Sequence, residues 1–325
     1  MKWSSRIAVT ALLAAAGMLA HAATFAAESY PTRPVRFVVG FPPVGSIDTI
    51  ARIVGQKLTE TWGQQVVIDN RPGAAGNIAA ELVARATPDG YTLLLASPGP
   101  LTITPNLKRY MSFDPEKDFA PLTLVATTTA VLLTLPSGPA SVKDLIELAK
   151  AKPGRLNYAS SGYGSSNHLA AELFKIMAGV NIVHVPYKGA GQVMPLLSGE
   201  VQITFSPIIP ALPHLRSGKF RAIGVTSGKR TLAAPDIPTI AESGLPDYEI
   251  NSWYGIVAPA HIPRSVLDKL SDALISIIRA QDVHERLVRE GADPVASTPA
   301  EFAAHLRAER AKWAKLVKAA QLKIE

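Results

Sequence analysis

Two glycine- and serine-containing segments are the best candidates for chemistry, because each follows an apolar run and precedes a helical pattern. They are Phe41–Asp48 (FPPVGSID) and Ala159–His168 (ASSGYGSSNH). Exposed backbone N–H groups and the helix dipole make such a helix start attract an anion. The alternative is that Ser46 and Ser165 only cap their helices. Because one such loop falls in each of two predicted domains, the sequence favours anion binding.

Motifs for catalysis and cofactor binding are weak or absent. Gly162-x-Gly164 begins a dinucleotide fingerprint, but Asn167 stands at the third glycine position and the expected ribose-binding acid is missing. The sequence has no P-loop, nucleophile elbow or H-E-x-x-H motif, and it has no Cys. Only His168 beside Ser165 or Ser166 offers a base near a nucleophile, so a hydrolase or isomerase stays a minor alternative. We therefore predict no cofactor, no metal site and no catalysis.

Apolar strand patterns alternate with helical patterns, and the alternation restarts after about residue 124. This predicts an α/β fold of mostly parallel sheets covered by helices. The two expected domains are 28–124 with 249–325, and 125–248, joined by a hinge of two extended crossings near 122–135 and 248–258. The C-terminal helices are expected to pack back on the first domain. In parallel sheets ligands bind beyond the carboxyl ends of strands, where both candidate loops fall.

The first residues have the layout of a secretory signal peptide. Lys2 and Arg6 precede the apolar run Ile7–Ala20, and Ala22 ends a small-residue cleavage site. The run is too short to span a bilayer stably, although an anchor helix and cleavage after Ala26 are alternatives. We predict that residues 1–22 are removed and that the protein is periplasmic. Removal lowers the net charge from +7 to +5, because two cationic residues and no acidic residue leave.

Composition fits a folded protein with two domains. The chain has 325 residues, of which 47% are hydrophobic and 18% charged, and these values exclude a disordered or fibrous class. The mild positive charge favours anionic ligands. Cationic residues near the C-terminus alternate with acids as on a solvated helix face, so no nucleic-acid partner is predicted. We expect a monomer.

A set of short motifs extends in order along the mature chain: Tyr30–Pro34, Phe41–Asp48, Asn70–Asn77, Pro88–Leu93, Asn157–Gly162, His184–Gly189, Pro235–Thr239 and Ser252–Gly255. Together they resemble the Bug (Bordetella uptake gene) family, the extracytoplasmic solute receptors of tripartite tricarboxylate transporters. The resemblance implies a two-domain periplasmic binding protein (type II-like) that closes like a Venus flytrap. It would capture a small organic carboxylate and deliver it to the membrane subunits of the transporter. A sensory adaptor would share this site and stays an alternative.

The resemblance also implies that the ligand is held largely through backbone amides, hydroxyl groups and ordered water. The candidate ligand-binding residues are Phe41, Pro43, Val44, Gly45, Ser46, Asp48, Ser97, Ser160, Ser161, Gly162, Gly164, Ser165, Ser166, His168, Tyr187, Lys188 and Ser206.

Three departures from the family pattern leave the particular carboxylate open. Val44 replaces a usual glycine, Ser206-Pro207 stands where relatives often have Asp or Gly, and Ser97 is followed by Pro rather than Asn. Asp48 is expected to brace its own loop, because a free carboxylate would repel an anionic ligand. With no other acid in the loops, we expect a ligand without an amine.

Overall fold

The computed structural model describes residues 30–43, 45–107, 111–160, 162, 165–187 and 193–319, so the predicted signal peptide lies outside the described residues. The strands are Val35–Val39 (β1), Val66–Asn70 (β2), Thr92–Ala96 (β3), Phe119–Thr128 (β4), Ala130–Thr134 (β5), Asn157–Ser160 (β6), Val183–Pro186 (β7), Ile203–Pro207 (β8), Arg221–Val225 (β9), Ser252–Pro259 (β10) and Ala292–Pro294 (β11). The helices are Ser46–Trp62 (α1), Asn77–Ala84 (α2), Thr104–Leu107 (α3), Val142–Ala151 (α4), Ser166–Ala178 (α5), Met194–Leu197 (α6), Ile208–Arg216 (α7), Arg264–Arg279 (α8), Gln281–Arg289 (α9) and Pro299–Ala319 (α10). Within the described ranges, no helix has both the length and the apolar character needed to cross a membrane.

The strands form two mixed sheets. The order in the first is β11-β4-β10-β3-β1-β2, and in the second β7-β6-β8-β5-β9. β1 is parallel to β2 and β3, and β6 is parallel to β7 and β8. The other pairs, which all involve β4, β5 or β10, are antiparallel. The predicted α/β fold is confirmed, but the expectation of mostly parallel sheets is wrong.

The antiparallel pairs arise from the path of the chain between the sheets. β4 runs in the same direction as β1 and β3, so its carboxyl end lies beside theirs, and only Thr129 separates it from β5 in the second sheet. β5 therefore starts beside the carboxyl end of β8, and the two strands are antiparallel. β9 and β10 make the return passage in the same way. Both predicted extended crossings are therefore strands, the first divided at Thr129.

The helices near the C-terminus divide between two cores. Buried residues of α8 and α9 pack against the first sheet, where Leu270 and Leu287 are fully buried. In α10, Phe302 also packs in that half of the molecule, against Trp253 of β10. Trp313, three turns later, lies in the core of the second sheet with Tyr158. The last turns of α10 thus reach beyond the first core, and the domain boundaries 28–124 with 249–325 and 125–248 stay a prediction.

The sequence patterns did not predict α7. Three prolines, Pro207, Pro210 and Pro213, made residues 207–216 an unfavourable helix. Pro207 is the residue before the first turn and Pro210 lies within that turn, where the backbone N–H has no partner inside the helix. Only Pro213 removes an interior hydrogen bond. The helix therefore forms at a smaller cost than its proline count indicates.

Gly255 in β10 generates a prediction about packing. A Cβ on Gly255 would lie 2.1 Å from Cζ of the fully buried Phe302. We predict that Gly255→Ala lowers the free energy of unfolding by about 1–3 kcal/mol through overpacking, measured by urea denaturation. Gly45→Ala is the matched control, because its Cβ would lie 3.8 Å from the Pro42 carbonyl oxygen. Equal unfolding midpoints for Gly255→Ala and the unmodified protein would contradict this packing.

Candidate functional site

A cavity of 630 Å³ lies between the two sheets. Its lining comes from the loops after β1 and β3, from the starts of α5 and α7, and from residues of both crossings. The carboxyl ends of the parallel strands thus meet there, as expected for a ligand site in α/β proteins.

The start of α1 presents backbone amides to this cavity. Gly45 is the residue before the helix, and no side chain caps this end. The first hydrogen bond inside the helix joins Thr49 N to Gly45 O at 3.0 Å, so the amides of Ser46 and Ile47 lie before the hydrogen-bonded turns of the helix. Gly45 and Ser46 line the cavity. The alternative that Ser46 only caps the helix is therefore wrong.

The start of α5 faces the same cavity but is capped. Ser165 Oγ accepts a hydrogen bond from His168 N at 3.3 Å and donates one to Gly162 O at 2.6 Å. Ser165 is therefore a helix cap as well as a lining residue, which confirms the capping alternative at this position. The first helical residues, Ser166 and Asn167, also line the cavity, and their amides precede the first bond inside the helix, from Leu169 N to Ser165 O.

The described lining carries no charged side chain. Its polar members are Ser46, Ser97, Thr128, Thr129, Ser165, Ser166, Asn167, Thr226, Ser252 and Tyr254. Two helices with 17 and 13 residues start at the cavity, and each contributes about half a positive charge at its N-terminus. Both helix dipoles therefore favour an anion at this part of the cavity, and the available donors suit a carboxylate.

Hydrogen bonds between the crossings hold the cavity floor. Thr129 Oγ1 lies 3.1 Å from Thr226 Oγ1. Thr129 Oγ1 also accepts a bond from Ser227 N at 3.1 Å. In return, Thr226 Oγ1 accepts a bond from Ala130 N at 3.0 Å. The first amide of α7, Ile208 N, donates to Thr129 O at 3.2 Å. We name Thr129 and Thr226 the threonine clasp, because the pair joins the two passages between the sheets.

Asp48 braces the first loop instead of lining the cavity. The residue is only 2% exposed, and its carboxylate accepts bonds from Arg52 Nε at 2.8 Å and Asn70 Nδ2 at 2.9 Å. Asn70 Nδ2 also donates to Phe41 O at 3.0 Å. Asp48 and Asn70 together fix the carbonyl of Phe41, so the expected bracing role of Asp48 is confirmed.

A cluster of aromatic and polar side chains lies beside the second loop. Ser160 Oγ is 2.6 Å from His184 Nε2 and accepts a bond from Gly162 N at 3.1 Å. The His184 ring stacks on Tyr158 and lies 4.3 Å, between centroids, from His168. Burial, followed by the neighbouring His168, lowers the pKa of His184 to about 4, and burial lowers that of His168. Both imidazoles are therefore neutral near pH 7.

The predicted site residues divide into three groups. Seven line the cavity: Phe41, Pro43, Gly45, Ser46, Ser97, Ser165 and Ser166. Six do not belong to the described lining: Asp48, Ser160, Gly162, His168, Tyr187 and Ser206. Val44, Ser161, Gly164 and Lys188 lie outside the described residues.

Sequence reasoning missed the floor and one wall of the cavity. The floor residues Thr128, Thr129, Thr226, Ser252 and Tyr254 belong to the crossings or their ends. The run of three threonines inside the apolar segment 122–135 was a usable signal, because a crossing strand must pass the cleft. The wall formed by Pro207, Ile208 and Ile209 was missed because α7 was not predicted.

Ala75 also lines the cavity, and its backbone is unusual. Ala74 and Ala75 have φ of 48° and 56°, a region that side-chain-bearing residues rarely adopt. The turn packs against Gly99, where a Cβ would lie 2.6 Å from Ala75 O. Such local strain is common at ligand sites, and the Asn70–Asn77 motif was its only sequence signal.

Comparison with known proteins places the chain in a family. Residues 50–322 match the family described as tripartite tricarboxylate transporter family receptor. The chain belongs to this family, which confirms the resemblance found in the sequence.

Three relatives cover nearly the whole chain. Rpa4515 of R. palustris, solved with adipate, is 38% identical with a TM-score of 0.81 and covers 90% of this chain and 99% of its own. MatC from Rhodopseudomonas palustris, solved with bound malate, is 31% identical with a TM-score of 0.75. The match covers 89% of this chain and 100% of the MatC chain. Protein BugT of Bordetella pertussis is 34% identical over 307 residues, 94% of each chain.

The two serines at the start of α5 should differ in their effect on stability. We predict that Ser165→Ala lowers the free energy of unfolding by about 1 kcal/mol, because it removes the cap on His168 N. Ser166→Ala should change it by less than about 0.5 kcal/mol. Urea denaturation of both variants tests this, and an equal loss in each would contradict the assignment of the cap.

We predict that His184 makes the free energy of unfolding depend on pH. Its pKa falls from the ordinary 6.5 to about 4 on folding, so between these values the unfolded chain binds more protons and stability declines as pH falls. The ring is partly exposed, so water screens the effect to about 1–2 kcal/mol between pH 7 and pH 4.5. His184→Gln should be less stable at pH 7 but lose less on acidification. Parallel acid dependences in urea denaturation of the two proteins would refute this role.

Proposed function

We propose that the protein is the periplasmic solute receptor of a tripartite tricarboxylate transporter, and that it captures a small organic carboxylate between its two sheets. The receptor delivers the carboxylate to the membrane subunits of the transporter and catalyses no reaction. The observation that carries this proposal is the convergence of the α1 and α5 N-termini on a cavity whose described lining has no charge.

The lining supplies enough neutral donors for a carboxylate. Backbone amides at Gly45 and Ser46 lie on one side, and those of Ser166 and Asn167 on the other. Tyr254 also lines the cavity, and its phenol is a further group that can donate a hydrogen bond. A charge-assisted hydrogen bond contributes about 1.5–3 kcal/mol, so a few of them suffice for about micromolar affinity after ordering costs.

The relatives support both the ligand class and the absence of catalysis. Two structures more than 30% identical to this chain hold the dicarboxylates adipate and malate. Among the described residues, the hydroxyl–imidazole contact of Ser160 with His184 most resembles a catalytic dyad. Neither residue belongs to the cavity lining. A bound carboxylate therefore meets donors but no general base among the described lining side chains.

Export and movement complete the proposal. The signal peptide of residues 1–22 directs the chain to the periplasm, where it acts as a monomer. The predicted domains, 28–124 with 249–325 and 125–248, close on the ligand about the two crossings, a shift between open and closed populations.

Two substitutions at Gly45 test the role of the loop amides. Its φ of −84° is accessible to both Pro and Ala, and Pro alone removes the N–H group. We predict that Gly45→Pro weakens binding of adipate and succinate at least tenfold in calorimetry, whereas Gly45→Ala binds like the unmodified protein. Both variants should retain the unmodified thermal unfolding temperature within a few degrees. Unchanged affinity in the folded Gly45→Pro variant would overturn the assignment of this amide.

A further inference from the structure

We infer that the receptor selects a carboxylate whose body is unsubstituted and apolar, and that Ile209 is a specificity-determining residue. The inference rests on the proposed function, since it names the class of carboxylate that the same cavity accepts. It excludes amino and hydroxy acids as preferred ligands.

The first argument is the apolar wall. Ile47, Ile103, Ile208, Ile209 and Ile250 line the cavity from five different positions in the fold. The cavity of 630 Å³ is large enough to hold many water molecules. An apolar ligand body that displaces this water from the isoleucines gains free energy, whereas a hydroxyl group against them loses its hydrogen bonds to water.

The second argument is the missing counter-charge for an ammonium group. The described lining has no Asp or Glu, and the internal residues outside the description (44, 108–110, 161, 163–164 and 188–192) include neither type. Asp48 is engaged by Arg52 and Asn70 behind the loop. Two helix N-termini also repel a cation. A ligand ammonium would therefore be buried without a compensating carboxylate.

The third argument is the position of Ile209. It is the second residue of α7, and its other side meets Gly291, where a Cβ would lie 2.4 Å from Ile209 Cγ1. This contact holds the side chain between Gly291 and the cavity. Ile208 is 1% exposed and belongs to the core of the second sheet, whereas Ile209 is only partly buried. Ile209 is thus the wall residue that a substitution can change with least disturbance of the core.

Matched ligand sets test the inference. Succinate, malate and aspartate differ at one carbon by hydrogen, hydroxyl or ammonium, and glutarate, 2-hydroxyglutarate and glutamate repeat the series with a longer chain. We expect calorimetry to show the unsubstituted member of each set binding at least tenfold more tightly than its hydroxy and amino analogues. Ile209→Asn should reduce the preference for succinate over malate about tenfold, and Ile209→Val should preserve it.

The outcomes separate the inference from the proposed function. Equal or tighter binding of aspartate or malate by the unmodified protein overturns the inference and leaves carboxylate capture intact. Failure of all six acids and of adipate to bind overturns both. An unchanged succinate-to-malate ratio in Ile209→Asn, with its thermal unfolding temperature maintained, refutes the role of Ile209 alone.

Discussion

The cavity depends on fixed peptide dipoles at the starts of two helices. Backbone amides cannot rotate toward a ligand as an arginine side chain can, so their positions must be set before the ligand arrives. In return, they carry no full charge that has to be desolvated when a ligand covers them. This explains why the polar groups beside the loops are so extensively bonded. Asp48 and Asn70 hold the first loop, and Ser160 holds Gly162 in the second.

This constraint also explains which parts of the site could be predicted from the sequence. The loops at 41–48 and 159–168 carry small residues before apolar periodicity, and this local signal identified both helix starts correctly. Whether a polar residue in such a loop faces the ligand or the interior depends on tertiary packing. Asp48 and Ser46 are two residues apart, yet one is paired with Arg52 and the other lines the cavity. No local pattern distinguishes them.

The directions of the strands and the presence of α7 could not be predicted from the sequence, for two different reasons. Apolar runs identify strands but contain no information about pairing partners, so the antiparallel arrangement of β5 and β10 became visible only when the path between the sheets was known. For α7, the low helix propensity of proline argued against a helix. Prolines at the cap position and in the first turn are nevertheless tolerated. The missed wall at Pro207–Ile209 follows directly from that local rule.

The helix α10 reaches both cores, and this has a mechanical consequence. Its Phe302 is fixed in the half of the molecule that contains the first sheet, and its Trp313 in the core of the second. A rigid rod anchored at both ends acts as a tie between the bodies that it joins. Together with the threonine clasp, it gives the molecule two separate points of attachment between its two halves. Separation of the sheets would therefore have to extract the fully buried Trp313 and break the hydrogen bonds of the clasp.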